Sequence, residues 1–295
     1  MEKKKKKIKE ILNWAVSYLK ERGVDSPRIN AELIAEKIIG RSRISLYLEP
    51  DFLVEDEVLA KFEKEIKRRG RRVPVEYIVG EKHFMDLKLI VSPGVYIPRP
   101  ETEILVEEAL RILKKLKSPA SILRVVDLGT GTGNIAISIA KKFQAIKIYT
   151  IDLSFKAIKV AKMNARLNRV EKKIDFLVGD LFSPLQGKKL EGKIDLIVSN
   201  PPYVDRKKLK ELPPEVKKEP DFALNGGPGG LSFYKRIIPG SLIWLKNGGW
   251  LLLEIGYDQD KKVTQLLQSE KRLSLCRIVK DFNGNPRAII VQKTS

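Results

Sequence analysis

The sequence contains one cysteine and one histidine in 295 residues. A lone Cys276 cannot close a disulfide within the chain, which excludes a disulfide-stapled scaffold. With His83 the single imidazole, the common zinc patterns lack their ligands, so no metal site is expected. His83 reads as an ordinary linker residue, and Cys276, in apolar surroundings, as a packing residue. No apolar run reaches the ~18 residues that a membrane-spanning helix needs. The opening Met1-Glu2-Lys3-Lys4-Lys5-Lys6-Lys7 lacks the apolar stretch of a secretory signal. These absences predict a soluble, cytoplasmic protein. Acidic residues are also in deficit: 57 Lys and Arg stand against 37 Asp and Glu, a net charge of +20. The excess is spread out, net +5 over residues 1–90 and +15 over 91–295. Such a field favours polyanions, which points to weak contact with RNA or the ribosome. A lysine-rich solvated surface accounts for it too.

What is present is ample apolar material, 43% of residues, in two different rhythms. Through residue 80 the rhythm is helical. Ile8, Ile11, Leu12, Ala15 and Leu19 recur at helical spacing, as do Ala31, Ile34, Ala35 and Ile38, with Gly40 as a stop. Val58, Leu59, Phe62 and Ile66 make a third stripe, running into the basic stretch Lys67–Arg72, which reads as an RNA contact or a solvated helix end. Pro74 to Ile78, closed by Gly80, reads as a short fourth helix. No strand pattern interrupts this part, and a small all-helical domain is expected over 1–80. Residues 81–97 partly alternate and contain Pro93-Gly94, which predicts a β-hairpin linker.

From residue 98 strands alternate with helices. A helix over Glu101–Lys117 precedes a strand at Arg124–Leu128 and a helix at Asn134–Phe143. Strands follow at Ile146–Ile151, Ile174–Val178, Ile194–Ser199 and Trp250–Ile255. Helices are expected at Ser154–Asn168, Ser232–Lys246 and Asp258–Gln268. Arg277–Asp281 and Arg287–Gln292 read as a terminal hairpin. Repeated strand–helix units imply an α/β domain, a parallel sheet covered on both faces, to which the hairpin adds an antiparallel strand.

Two motifs carry chemistry. Asp127-Leu128-Gly129-Thr130-Gly131-Thr132-Gly133-Asn134 follows a strand and opens a helix. Its glycines let a ligand approach the backbone at a helix N-terminus. Asp152 ends the next strand, where a carboxylate can accept both hydroxyls of a ribose. Together they indicate a cofactor that contains a nucleoside. The second motif, Asn200-Pro201-Pro202-Tyr203, lies at the carboxyl end of the fourth strand of this domain. Two prolines remove two N–H donors and leave carbonyl oxygens beside the Asn200 amide. Such an acceptor cluster suits a planar NH2 group, and Tyr203 offers a face for stacking it.

The combination resembles class I S-adenosylmethionine-dependent amino-methyltransferases. Three further stretches resemble the release-factor glutamine methyltransferases (HemK family): Ile97-Pro98-Arg99-Pro100-Glu101-Thr102-Glu103, the glycine-rich run Glu219–Leu231, and Leu253-Glu254-Ile255-Gly256-Tyr257-Asp258-Gln259. The resemblance spans nearly the whole chain. It implies a Rossmann-like seven-stranded methyltransferase sheet over 98–295, preceded by a helical substrate-recognition domain. It implies S-adenosyl-L-methionine as cofactor, bound by Gly129, Thr130, Gly131, Thr132, Gly133, Asp152, Asp180, Leu181 and Asn200. It implies that Asn200, Pro201, Pro202 and Tyr203 are catalytic and hold the side-chain amide of a glutamine. That glutamine would be the one in the Gly-Gly-Gln motif of peptide chain release factors, in translation termination, with the enzyme acting as a monomer. The same platform would also hold an exocyclic amine of an RNA or DNA base, and a ribosomal-protein glutamine is a further alternative. A non-enzymatic nucleotide- or RNA-binding module explains the glycine loop but not the prolines. Arg99 and Glu101 read as a cofactor entrance or as surface ion pairs, and Asp195 as a loop-orienting or a structural acid.

Overall fold

The computed structural model describes residues 5–116 and 121–294. The chain divides into two compact units, Met1–Glu81 with Pro213–Lys218, and Lys82–Leu212 with Glu219–Ser295.

The first unit is helical. Its elements are α1 (Ile8–Glu21), α2 (Pro27–Ile39), α3 (Arg43–Leu48), α4 (Asp56–Gly70) and α5 (Val75–Val79). Ile8, Ile11, Leu19, Ile34, Phe62 and Ile66 are buried together in its core. Local signals set the helix ends. Pro27 opens α2, and Gly40 closes it in the left-handed conformation at φ 75°. Asp56 and Glu57 begin α4 and Lys67, Arg68 and Arg69 end it, matching the helix dipole at both ends.

Two features depart from the expected pattern. A two-residue pair, β1 (Lys6–Lys7) with β2 (Leu53–Val54), interrupts the helices. It is too short to leave an alternation in the sequence. Helix α3 was not foreseen because only Leu46 on it is buried, so it carries no apolar stripe. Its start is fixed instead by Ser42, whose Oγ accepts from the Ser45 N–H at 3.2 Å.

The unit also takes in a piece of distant sequence. Glu215 lies between Arg69 and Arg72, whose guanidinium groups donate to it at 2.9 and 2.6 Å. Burial pushes the Glu215 carboxyl up, but the two arginines more than offset it and hold it below its usual range. Arg69 is itself buried and donates to Asn30 at 2.7 Å. Part of the basic run at 67–72 is therefore engaged inside the protein.

The second unit begins with a hairpin, β3 (Glu81–Phe84) and β4 (Leu87–Ile90), with exposed His83 on β3. Helix α6 (Thr102–Leu116) follows; Lys117, the expected end of this helix, lies outside the described residues. Then come β5 (Leu123–Leu128), α7 (Asn134–Lys142), β6 (Ile146–Asp152), α8 (Phe155–Leu167), β7 (Ile174–Val178) and β8 (Ile194–Ser199). The unit closes with α9 (Tyr234–Trp244), β9 (Leu245–Glu254), α10 (Asp260–Gln268), β10 (Leu273–Lys280) and β11 (Pro286–Lys293). The seven-stranded sheet has the order β10-β11-β9-β8-β5-β6-β7. All neighbours are parallel except β11, which pairs antiparallel with β9 and β10.

Both faces of the sheet are covered. Val125, Leu196, Val198 and Leu252 point to one core with Leu105, Ile135 and Ile139. Their chain neighbours Val126, Ile197, Leu251 and Leu253 point to the other, with Tyr234, Ile237 and Val263. Strand β9 starts five residues before the expected Trp250, because Lys246-Asn247-Gly248-Gly249 carries no apolar rhythm although Leu245 already pairs with Ile194.

Cys276 is exposed, which corrects the packing assignment. It lies where the β10–β11 register jumps between Leu275 and Arg277, so it has no partner across the ladder on this edge strand. Asp195 is structural: it accepts from the Arg124 N–H at 2.7 Å and pairs with Lys246.

The chain runs from β5 outward to β6 and β7, then crosses back to β8 on the other side of β5. That reversal opens a crevice at the carboxyl ends of β5 and β8, the usual ligand position in such sheets.

Candidate active site

A cleft of about 1150 Å³, its open mouth included, occupies that crevice. One wall is the turn after β5. Gly129, Gly131 and Gly133 all have positive φ, at 73°, 56° and 84°. The Gly129 and Thr130 N–H groups donate to the Ile151 carbonyl at 2.8 and 3.1 Å, latching the turn to the end of β6. The Gly131 N–H donates to Asp152 at 2.9 Å, and the Ser154 N–H donates to its other oxygen at 2.8 Å. Burial pushes the Asp152 carboxyl up, against the pull of these two groups. Beneath the turn, buried Asp127 accepts from Thr130 and Thr150 at 2.6 and 3.0 Å. Its other oxygen has no hydrogen-bond partner among the described residues. Burial, with the Asp152 charge adding to it, pushes this acid up to about 6 against those two hydroxyls.

The opposite wall is the segment after β8. The Ser199 hydroxyl donates to the Leu128 carbonyl at 2.8 Å, tying the two strand ends together. Asn200 then donates from Nδ2 to the Thr102 hydroxyl oxygen at 3.0 Å. With Nδ2 engaged in this way, Oδ1 is the acceptor Asn200 has left to offer. The Gln259 side chain donates to the Tyr203 carbonyl at 3.0 Å, and the Tyr203 hydroxyl donates to Glu254 at 3.4 Å.

The run after Asn-Pro-Pro-Tyr folds back onto it. Val204 N donates to the Leu224 carbonyl at 2.9 Å, and Gly226 N to the Val204 carbonyl at 2.8 Å. Gly230, at φ 72°, lies so close that a Cβ there would stand 2.1 Å from the Tyr203 carbonyl oxygen. Only a residue without a side chain permits that approach, which accounts for the glycine-rich character of this loop.

The cleft brings together Gly129, Thr130, Gly131, Thr132, Asp152, Asp180 and Leu181 with Asn200, Pro201, Pro202 and Tyr203. Gly133 stands behind the lining: it caps α7, and a Cβ there would press on Ile137 and Ala161 at 3.0 and 3.1 Å. Asp180 is paired with Arg236. Arg99 pairs with buried Glu219, whose other oxygen accepts from the Ile97 N–H at 3.0 Å, so its role is ion pairing. The cleft also takes in Thr102, Leu153, Phe222 and Leu224, which the sequence alone did not single out. Thr102 stands in the Ile97–Glu103 stretch and Phe222 and Leu224 in the glycine-rich run, so those stretches were the available signal. Among the described residues no group of three His, Cys, Asp or Glu side chains is placed to hold a metal ion.

Comparison with known proteins places this cleft in context. Residues 10–80 match the PrmC N-terminal domain, and residues 102–214 match the methyltransferase small domain. A release factor glutamine methyltransferase of Thermodesulfovibrio yellowstonii is 39% identical over 290 residues, 98% of this chain and 97% of that one. One from Geobacter sulfurreducens is 37% identical, covering 96% of this chain and 95% of its own. The chain belongs to the release factor glutamine methyltransferase family. It is accordingly an S-adenosylmethionine-dependent methyltransferase with the seven-stranded sheet of that class. A solved ribosomal protein L11 methylase from Lactobacillus delbrueckii subsp. bulgaricus also aligns, with a TM-score of 0.45 and 21% identity, over 70% of this chain and 84% of that one.

Proposed function

We propose that this enzyme methylates the side-chain amide nitrogen (N5) of the glutamine in the Gly-Gly-Gln motif of peptide chain release factors. The observation that carries this reading is the fixed amide of Asn200, whose Nδ2 donates to Thr102, which leaves Oδ1 as its acceptor, with Pro201 and Pro202 lining the same cleft. A primary carboxamide has two N–H protons to place, and this wall offers acceptors without competing backbone donors.

The cofactor fits the other wall. Asp152, anchored by two backbone N–H groups, is suited to ribose hydroxyls. Nothing lies within 4 Å of the position a Cβ would take on Gly131, which leaves room beside the backbone. Exposed Leu153 offers an apolar surface for the adenine, with Asp180 and Leu181 beside it. Bound there, S-adenosylmethionine supplies an electrophilic methyl group on a sulfonium.

The chain's own task is alignment. An amide nitrogen is a weak nucleophile because its lone pair is delocalised into the carbonyl. Asn200 Oδ1 and the Pro201 carbonyl orient the nitrogen, and such positioning supplies up to ~7–11 kcal/mol in favourable cases. As the nitrogen gains positive charge its N–H bonds become stronger donors, so the same acceptors bind the transition state better than the ground state. The released proton passes to water.

Mass spectrometry of a release factor after incubation with enzyme and cofactor tests the substrate. One added methyl on the glutamine of Gly-Gly-Gln is expected. Label in RNA and none in protein would replace this reading with base methylation. Translation termination takes place in the cytoplasm, where this reading puts the enzyme.

The helical unit is read as the part that grips the substrate away from the reacting glutamine. Its α3 exposes Ile44 and Leu48, at 71% and 76%, with Tyr47 between them. Replacing Ile44 and Leu48 by Asp is expected to raise KM for whole release factor about tenfold, as the loss of one apolar contact patch would. KM for a short Gly-Gly-Gln peptide should stay unchanged; equal effects on both substrates would remove the recognition role.

A further inference from the structure

Behind the acceptor wall stands an acid for which the methyl-transfer reading provides no task. Glu254, the last residue of β9, is 1% exposed, and no lysine or arginine pairs with it among the described residues. Its Oε1 accepts from the Tyr203 hydroxyl at 3.4 Å, while Oε2 has no hydrogen-bond partner among the described residues. Thr102 faces the same carboxyl, and the Thr102 oxygen is the atom to which Asn200 Nδ2 donates. The main chain of Glu254 is fixed as well, since the Tyr234 hydroxyl donates to its carbonyl at 2.9 Å.

We propose that Glu254 is a positioning residue for the transfer reaction: its ionised carboxylate, through the hydroxyls of Thr102 and Tyr203, holds Asn200 and the Asn-Pro-Pro-Tyr segment in the orientation that receives the amide. This rests on the substrate reading above only for its activity readout.

The chemistry runs along one chain of hydrogen-bonding groups. A hydroxyl oxygen that accepts from Asn200 Nδ2 still has its own proton to place, and a carboxylate is the strongest acceptor within reach. Placing the proton there polarises the Thr102 oxygen and strengthens its hold on Nδ2, which keeps Oδ1 turned to the cleft. A protonated Glu254 reverses the relation, because it becomes a donor seeking the same oxygen atoms. The Tyr203 hydroxyl meets the same change.

The groups that set the protonation come from every side. Burial pushes the Glu254 carboxyl up to about 7, and the Glu101 charge ahead of α6 adds to the shift. Thr102 on α6, Arg287 on β11 and Tyr203 after β8 pull it back down. Tyr96, on the loop before α6, and Tyr234 on α9 face it as phenols kept neutral mainly by burial. Ionisation of this carboxyl is the condition for the held geometry.

Two measurements on the full-length protein test this. Labelled methyl transfer to release factor is followed across pH for wild type, Glu254→Gln, Thr102→Val and Thr102→Ser. Wild-type kcat should rise through an inflection near 7. The Gln variant should be about tenfold slower at about pH 8, with that inflection gone and KM for both substrates within about twofold. Thr102→Val should slow the enzyme similarly without adding to the Gln effect, and Thr102→Ser should restore it. A Gln variant that keeps the wild-type profile would overturn the proposal. The second measurement needs no substrate. The side-chain NH2 resonances of Asn200, followed by NMR, should shift with the same inflection in wild type and not in Glu254→Gln. Methyl transfer absent at every pH, with the NMR titration present, would sink the substrate reading alone. An Asn200 signal indifferent to pH and to the substitution would sink this one.

Discussion

The two walls of the cleft solve opposite problems with the same backbone. The wall after β5 is built from glycines in the left-handed region, and its Gly129, Thr130 and Gly131 N–H groups are engaged in latching the turn to the end of β6. The wall after β8 presents oxygen acceptors and is built from prolines that have no N–H to offer. Each wall is then braced by a buried carboxyl, Asp127 under the first and Glu254 behind the second. The difference teaches that the shape of each wall is set by backbone chemistry first, with the side chains serving to hold each backbone in place.

Substitutions that strike one wall at a time test the division. Asn200→Ala should lower kcat by about 10²–10³, as loss of one pre-organised transition-state contact does, while calorimetric affinity for S-adenosylmethionine stays nearly unchanged. Normal turnover in that variant would eliminate the acceptor wall as the amide site. Asp152→Ala should do the reverse, weakening cofactor affinity about 10–100-fold through lost hydrogen bonds with little change in kcat at saturation. If both variants fail in the same kinetic constant, the walls are not separate.

A stability readout tests the brace beneath the glycine turn. Asp127 is raised from 3.8 to about 6, so the folded state binds its proton more tightly than the unfolded chain does. Its contribution to stability is full below pH 3.8 and is lost as pH rises through about 6. Asp127→Asn should therefore gain on wild type between acid and neutral pH, by up to about 3 kcal/mol. Its oxygen can keep both threonine hydroxyls. Thermal melts at low and neutral pH measure this, and a constant difference between the two proteins would show that Asp127 is not strained by ionisation.

Much of this architecture is legible without coordinates, and the reasons are local. Glycines after an apolar strand and prolines after another announce their roles because backbone freedom and missing donors are properties of single residues. Thr102 is different. It is one of six threonines, unmarked by its neighbours until α6 brings its hydroxyl to Asn200, 98 positions away. Glu254 likewise reads as a polar end to an apolar strand, and its meaning arises only when Tyr203 and Thr102 converge on it. Helix α3 and the β1–β2 pair escape notice because each buries a single side chain, Leu46 and Val54, too few to make a stripe or an alternation. Cys276 looks apolar from its neighbours, and only the break in ladder register turns it outward.

The helical unit borrows Pro213–Lys218 from sequence that lies beyond Tyr203. Anyone grafting this module onto a homologue must therefore transplant two pieces of gene rather than one. A recombinant fragment ending near residue 80 would leave Arg69 and Arg72 with their shared counter-ion deleted, and two stranded guanidinium groups are poor company in a small domain.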